Sequence, residues 1–221
     1  MTAKRGLTPI SYGTALKKAW DNICHRDPSL ISEMADAPLI KEDIIVPFLG
    51  NNYLVNLKKR RINREGKPVP PFIAVLILHY LVSCGPQTPS GEFLTFREIP
   101  GGELYYPAFK KRAIDRITET FGSEPQELLK AGVILDARRL RMGDASIEVR
   151  AFPKISIAIV VWEGDEEVSS STNILFDSIA LDILPMEDLS VVGNLVASIL
   201  VKQIERGETP PDERPEVQGR G

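Results

Sequence analysis

Reactive side chains are scarce in this sequence, whose 221 residues include two cysteines, Cys24 and Cys84, and two histidines, His25 and His79. Two cysteines cannot build a disulfide framework, and there is no CxxC pair for redox or zinc chemistry. A structural zinc ion takes about four Cys or His ligands. Cys24 and His25 are adjacent, so their side chains diverge, and no structural zinc is expected. An intrinsic iron–sulfur cluster, which normally takes four thiolates, is likewise not expected from one chain. GxxxxGK[ST], GxGxxG, GxSxG and HExxH are all missing, and with them the phosphate cradles, the nucleophile elbow and the zincin helix. Charge of one sign is also lacking: 27 Lys and Arg stand against 30 Asp and Glu, a net charge of -3. Nothing there would hold a polyphosphate backbone, so no nucleic-acid partner is expected. Nor is there a long hydrophobic run. The most apolar segment, Phe72 to Val82, lies between Pro71 and Gly85 and is shorter than the ~20 residues of a membrane span. Met1 to Ser11 lack the apolar run of a secretory signal. Together these absences favour the reducing cytoplasm and no membrane partner.

What is present is ordinary globular composition, 43% hydrophobic and 26% charged. It is read as one domain over residues 1–206, followed by a charged, proline-rich tail, 207–221, that is expected to be disordered. Tyr12, Leu16, Ala19, Trp20 and Ile23 recur at helical spacing. Ile44 to Leu49 and Tyr53 to Leu57 flank a Gly50-Asn51-Asn52 turn and predict a hairpin, with Pro47 marking an edge strand. Lys58 to Lys67 read as a polar connection into the apolar helix over 72–82. Phe93 to Arg97 suggest a short strand, and Gly101-Gly102 a tight turn before Tyr105-Tyr106-Pro107. Phe109, Ala113, Ile117 and Phe121 then mark a helix. A short helix over 124–130 precedes a hairpin of 136–142 with 146–152. Ile155, Ile157, Ile159 and Val161 form a strand with little polarity on either face, which should be central. Asn173 to Asp177 make another strand, and Val191 to Ile204 a long last helix with Glu187 and Asp188 in its first turn. Helices and strands do not alternate regularly, so the fold class is α+β, a mixed or antiparallel central sheet with hairpins packed by three to five helices.

Several constellations bear on function. The acidic stretch Glu163 to Glu167, with Asp177 following, either gathers hard-cation ligands or is a solvated turn. Trp162 can floor a ligand pocket with Asp165 and Glu166 at its rim, or fill the core. Arg97, Glu98 and Tyr106 sit among glycines that suit anion recognition, although Arg97 can equally pair with Glu98 or Glu103. His79 is a candidate axial ligand to a tetrapyrrole metal or a hydrogen-bonded boundary histidine.

Four segments in order, Ile77-Leu78-His79-Tyr80-Leu81, Phe96 to Gly102, Trp162 to Glu167 and Ile174-Leu175-Phe176-Asp177, resemble an uncharacterised prokaryotic family, domain of unknown function three-seven-eight-six, over about residues 39–200. Some members of that family carry an iron–sulfur domain like that of corrinoid one-carbon proteins of anaerobes. This chain lacks that cysteine-rich module. The resemblance implies an accessory role near corrinoid or iron–sulfur enzymes, with a corrinoid or other tetrapyrrole as the cofactor class. The partner is then a small molecule or a corrinoid or iron–sulfur protein. The leading expectation is a non-catalytic ligand-binding or accessory domain with its site at Arg97, Glu98, Tyr106, Trp162, Asp165, Glu166 and Asp177. The alternatives are a carboxylate-based, magnesium-assisted enzyme and a protein-interaction module.

Overall fold

The computed structural model describes residues 10–206. The expected disordered tail, 207–221, and most of the leading segment read for a secretory signal lie outside the described residues. Helix α1 (Ile10–Ile23) buries Ala19, Trp20 and Ile23, following the predicted stripe. Asp27 caps α2 (Pro28–Met34), its carboxylate accepting the Ser29 N–H at 2.9 Å, and Pro28 opens the helix.

The strands divide into two antiparallel five-stranded sheets. The first runs β1 (Leu39–Ile40), β2 (Asp43–Phe48), β3 (Asn51–Asn56), β4 (Arg61–Arg64) and β5 (Lys67–Pro68) in simple order. The predicted hairpin is β2–β3, closed by Leu49 and Gly50 at φ 46° and 73°. Positive φ at both central residues matches the strand twist. Leu49 tolerates it because the residue is buried and its N–H reaches the Ala151 carbonyl of the second sheet at 3.0 Å. β2 is not the edge strand that Pro47 suggested, since it lies between β1 and β3; the short β1 pairs only with Asp43 and Ile44 and does not reach Pro47. The polar connection over 58–67 contains β4 and β5, which the sequence reading missed. Ile62 is the one buried apolar residue in that stretch, too little for a visible alternation.

Helix α3 (Pro71–Ser83) is buried along most of its length and packs against α1. Tyr80 donates its hydroxyl to the Ala35 carbonyl at 2.8 Å. Its ring stacks on Phe152 at 4.4 Å, which stacks on Phe48 at 4.3 Å. This ladder ties α3 to both sheets.

The second sheet comprises β6 (Phe93–Thr95), β7 (Arg138–Arg139), β8 (Ala145–Phe152), β9 (Ile155–Trp162) and β10 (Ser171–Asp177), ordered β6-β10-β9-β8-β7. β9 is central, as its apolar character predicts, while β7 pairs over two residues only. Helix α4 (Gly102–Phe109), a π turn (Lys110–Ile114), α5 (Asp115–Phe121), α6 (Gln126–Gly132) and the long α8 (Met186–Glu205) supply the helical layer; a short α7 (Ala180–Ile183) precedes α8. The fold is α+β. The fourth helix begins earlier than expected and takes in Tyr105-Tyr106-Pro107. Gly101 turns at φ 80°, and a Cβ on Gly102 would sit 1.9 Å from the Phe96 carbonyl oxygen, so only glycine starts the helix there. Among the described residues no helix is long and apolar enough to cross a membrane.

Candidate functional site

β10 fixes the distances among the predicted site residues. Its first residue, Ser171, pairs with Trp162, and its last, Asp177, pairs with Phe93. At about 3.3 Å per residue its two ends lie roughly 20 Å apart. Trp162, Asp165 and Glu166 therefore belong to one end of the sheet and Asp177 to the other. The expected single hollow is not there, because an antiparallel strand separates the groups that were to line it.

Most of these groups are also occupied locally. Asp177, 1% exposed, accepts from the Ser90 hydroxyl at 2.7 Å and from the N–H groups of Gly91 at 2.8 Å, Ile179 at 3.0 Å and Ser90 at 3.1 Å. Burial pushes this carboxyl up, but the hydrogen bonds from Ser90, Gly91 and Ile179 outweigh it and hold it below the ordinary range. Asp165 is exposed and folds back on its own turn, accepting the Val168 and Glu167 N–H groups at 2.7 and 2.8 Å, which lower its carboxyl. Glu166 is exposed on the same loop. Trp162 is 37% exposed and lies beside the Gly143 turn. Arg97 stacks over the Tyr106 ring at 4.1 Å and approaches Glu103 at 3.4 Å, so of the two carboxylates considered it takes Glu103. Glu98 instead accepts the Thr95 N–H at 2.7 Å, which lowers its carboxyl. The seven residues thus fall in three places. None of them lines the surface hollows at Phe48, Tyr53, Arg116 or His79.

His79 has a different setting. It interrupts the otherwise apolar α3, and its Nδ1 lies 2.5 Å from Oδ2 of Asp188 in the first turn of α8. The Asp188 side chain is 13% exposed and that of His79 31%. With Nδ1 engaged as donor, Nε2 is the ring atom left over. His79 lines a hollow of about 440 Å³ between α1, α3 and the Pro185 that precedes α8. Lys18 and Asn22 face it from α1, four residues apart and so on one side, and Ser83 lies one turn beyond His79. Ala15, Ala19, Val82 and Pro185 complete the wall.

Lys18, Asn22, Ser83 and Asp188 were missed as site residues. No local spacing connects positions 79 and 188; the one available signal was a histidine inside a run of aliphatic residues. Neighbouring Cys84 adds no nucleophile, since burial pushes its thiol up to about 11. Among the described residues no three His, Cys, Asp or Glu side chains gather as a metal site.

No curated protein and no solved structure matches the chain. The family profile described as Domain of unknown function (DUF3786) matches residues 27–198, from the cap of α2 through most of α8. That span covers both sheets and the His79–Asp188 pair, and the chain belongs to this family.

Proposed function

We propose that the protein is a non-catalytic, cytoplasmic ligand-binding domain whose ligand, a small carboxylic acid with an apolar tail, sits in the hollow beside His79. The observation that carries this reading is the His79–Asp188 pair at 2.5 Å opening on that hollow. Asp188 fixes the ring by accepting the Nδ1–H. The Lys18 ammonium, the Asn22 amide and the Ser83 hydroxyl offer donors to an acceptor-rich head group, and the fixed His79 ring closes the wall beside them. The alanines, Val82 and Pro185 suit an aliphatic or aromatic remainder, and about 440 Å³ is the size of a small-molecule site. Catalysis by paired carboxylates finds no support, because Asp165 and Asp177 stand toward opposite ends of β10 and each holds its own loop through backbone N–H groups.

A second reading, a corrinoid or other tetrapyrrole bound through His79, is favoured by the same pair. An axial imidazole uses one nitrogen for the metal and gives the other to a carboxylate. The metal would be held by His79 Nε2 and oriented through Asp188.

Isothermal titration of the protein with butyrate, benzoate and succinate tests the first reading; the colour and metal content of anaerobically purified protein test the second. The expected result is carboxylate binding that His79→Ala weakens by about tenfold or more. Colourless, metal-free protein that binds none of the three acids at millimolar concentration overturns both readings.

A further inference from the structure

Asn194 and Ser198 stand four residues apart on α8 and share a face. That face, the π turn and the start of α5 wall a hollow of about 550 Å³ lined by Lys111, Arg112, Arg116, Asn194 and Ser198. The three cations make no ion pair among the described residues, whereas the adjacent Lys110 is paired with Asp115. Arg112 and Arg116 occupy a spacing at which like charges repel along a helix. In a chain of net charge -3, this is a local concentration of unpaired positive charge.

Two further observations show that the hollow is a shaped site. Arg116 donates Nη1–H to the Ser198 hydroxyl at 2.8 Å, which holds its guanidinium in place with other N–H groups to spare. Asn194 Oδ1 is buried and has no hydrogen-bond partner. The wall is held close by Gly193, where a Cβ would meet the Phe109 ring at 2.8 Å; this seats Asn194 against the helix that passes into the π turn. Single π turns within helices are frequent at functional sites.

We propose that this hollow is a binding site for a small hydroxylated phosphate ester of the sugar-phosphate class. The Arg112 and Arg116 forks match phosphate oxygens bidentately, Lys111 adds a third positive charge suited to a dianion, and the Asn194 side chain in the wall meets the ester's hydroxyls. The volume fits a metabolite. The site is separate from the His79 hollow and shares no lining residue with it.

Titration calorimetry with glucose 6-phosphate, inorganic phosphate, sulfate and glucose as probes, at physiological salt, tests the proposal. Glucose 6-phosphate is expected to bind and glucose not to. The Arg112→Gln/Arg116→Gln double variant, with an unchanged circular-dichroism spectrum, weakens binding by about tenfold or more. Asn194→Leu removes most of the preference for glucose 6-phosphate over inorganic phosphate. His79→Ala binds glucose 6-phosphate as the unaltered protein does, so failure at one hollow is told apart from failure at the other. Equal affinity for sulfate and glucose 6-phosphate, binding that persists in the double variant, no binding at millimolar concentration, or tighter binding of a polyglutamate peptide each overturns it.

Discussion

Asp177 and Asp188 lie close in sequence and both are largely buried, yet their surroundings assign them opposite tasks. Asp177 ends β10 and gathers four hydrogen bonds from Ser90, Gly91 and Ile179, which leave its oxygens no capacity for a ligand. Among the described residues the Asp188 side chain has one hydrogen-bond partner, His79, a residue that lines a hollow. A carboxylate whose acceptors are filled by the chain's own N–H groups holds a loop in place. A carboxylate that orients a titratable ring beside open space can serve a ligand.

The sharpest way to break this contrast is Asp177→Ala. It leaves the Ser90, Gly91 and Ile179 N–H groups without their acceptor and should lower stability by roughly 3 kcal/mol, read by urea denaturation. A loss below about 1 kcal/mol would mean that the loop closes without the carboxylate.

Acid sensitivity comes next. Because the Asp177 carboxyl is held below its ordinary range, its stabilising contribution is complete above the unfolded value and is lost as pH falls through the folded one. The stability gap between the unaltered protein and Asp177→Asn should therefore be constant near neutrality and narrow below about pH 4. A gap that stays flat to pH 2 would assign the effect to shape rather than charge.

Ser90→Ala removes the shortest of the four bonds but keeps the backbone donors, so about 1 kcal/mol is expected from thermal melts. Asp188→Asn should change stability least, by under about 1 kcal/mol, because its partner is partly solvated. The same variant should nevertheless weaken carboxylate binding severalfold in titration calorimetry, a separation of stability from binding that Asp177 variants will not show.

The sequence carried the architecture where one physical signal dominated. The all-apolar β9 and the aliphatic α3 are dictated by local pattern and are found where the pattern puts them, and the β2–β3 hairpin is found with its turn at Leu49-Gly50 rather than Gly50-Asn51-Asn52, because Asn51 and Asn52 pair with Phe48 and Pro47 as the start of β3. β4 and β5 left no trace because short, polar, edge-forming strands bury almost nothing; Ile62 alone faces inward. Gly102 was legible as a turn but not as a helix start, since the contact that demands glycine is with the Phe96 carbonyl six residues back. For the site, composition drew attention to clusters of acids and to Arg97. Such clusters are visible in sequence because their members are neighbours, and here neighbours satisfied one another: Asp165 with its own turn, Glu98 with Thr95, Arg97 with Glu103 and Tyr106. The His79–Asp188 pair joins residues 109 positions apart, and only the docking of α8 near α3 creates it.

The most direct test of the account is differential scanning fluorimetry of the unaltered protein and of His79→Ala across a series of small carboxylic acids of increasing tail length. Acids that raise the melting temperature of the unaltered protein, and raise it more as the tail grows, without moving that of His79→Ala, are the predicted result. Identical melting responses of the two proteins to every acid would contradict it.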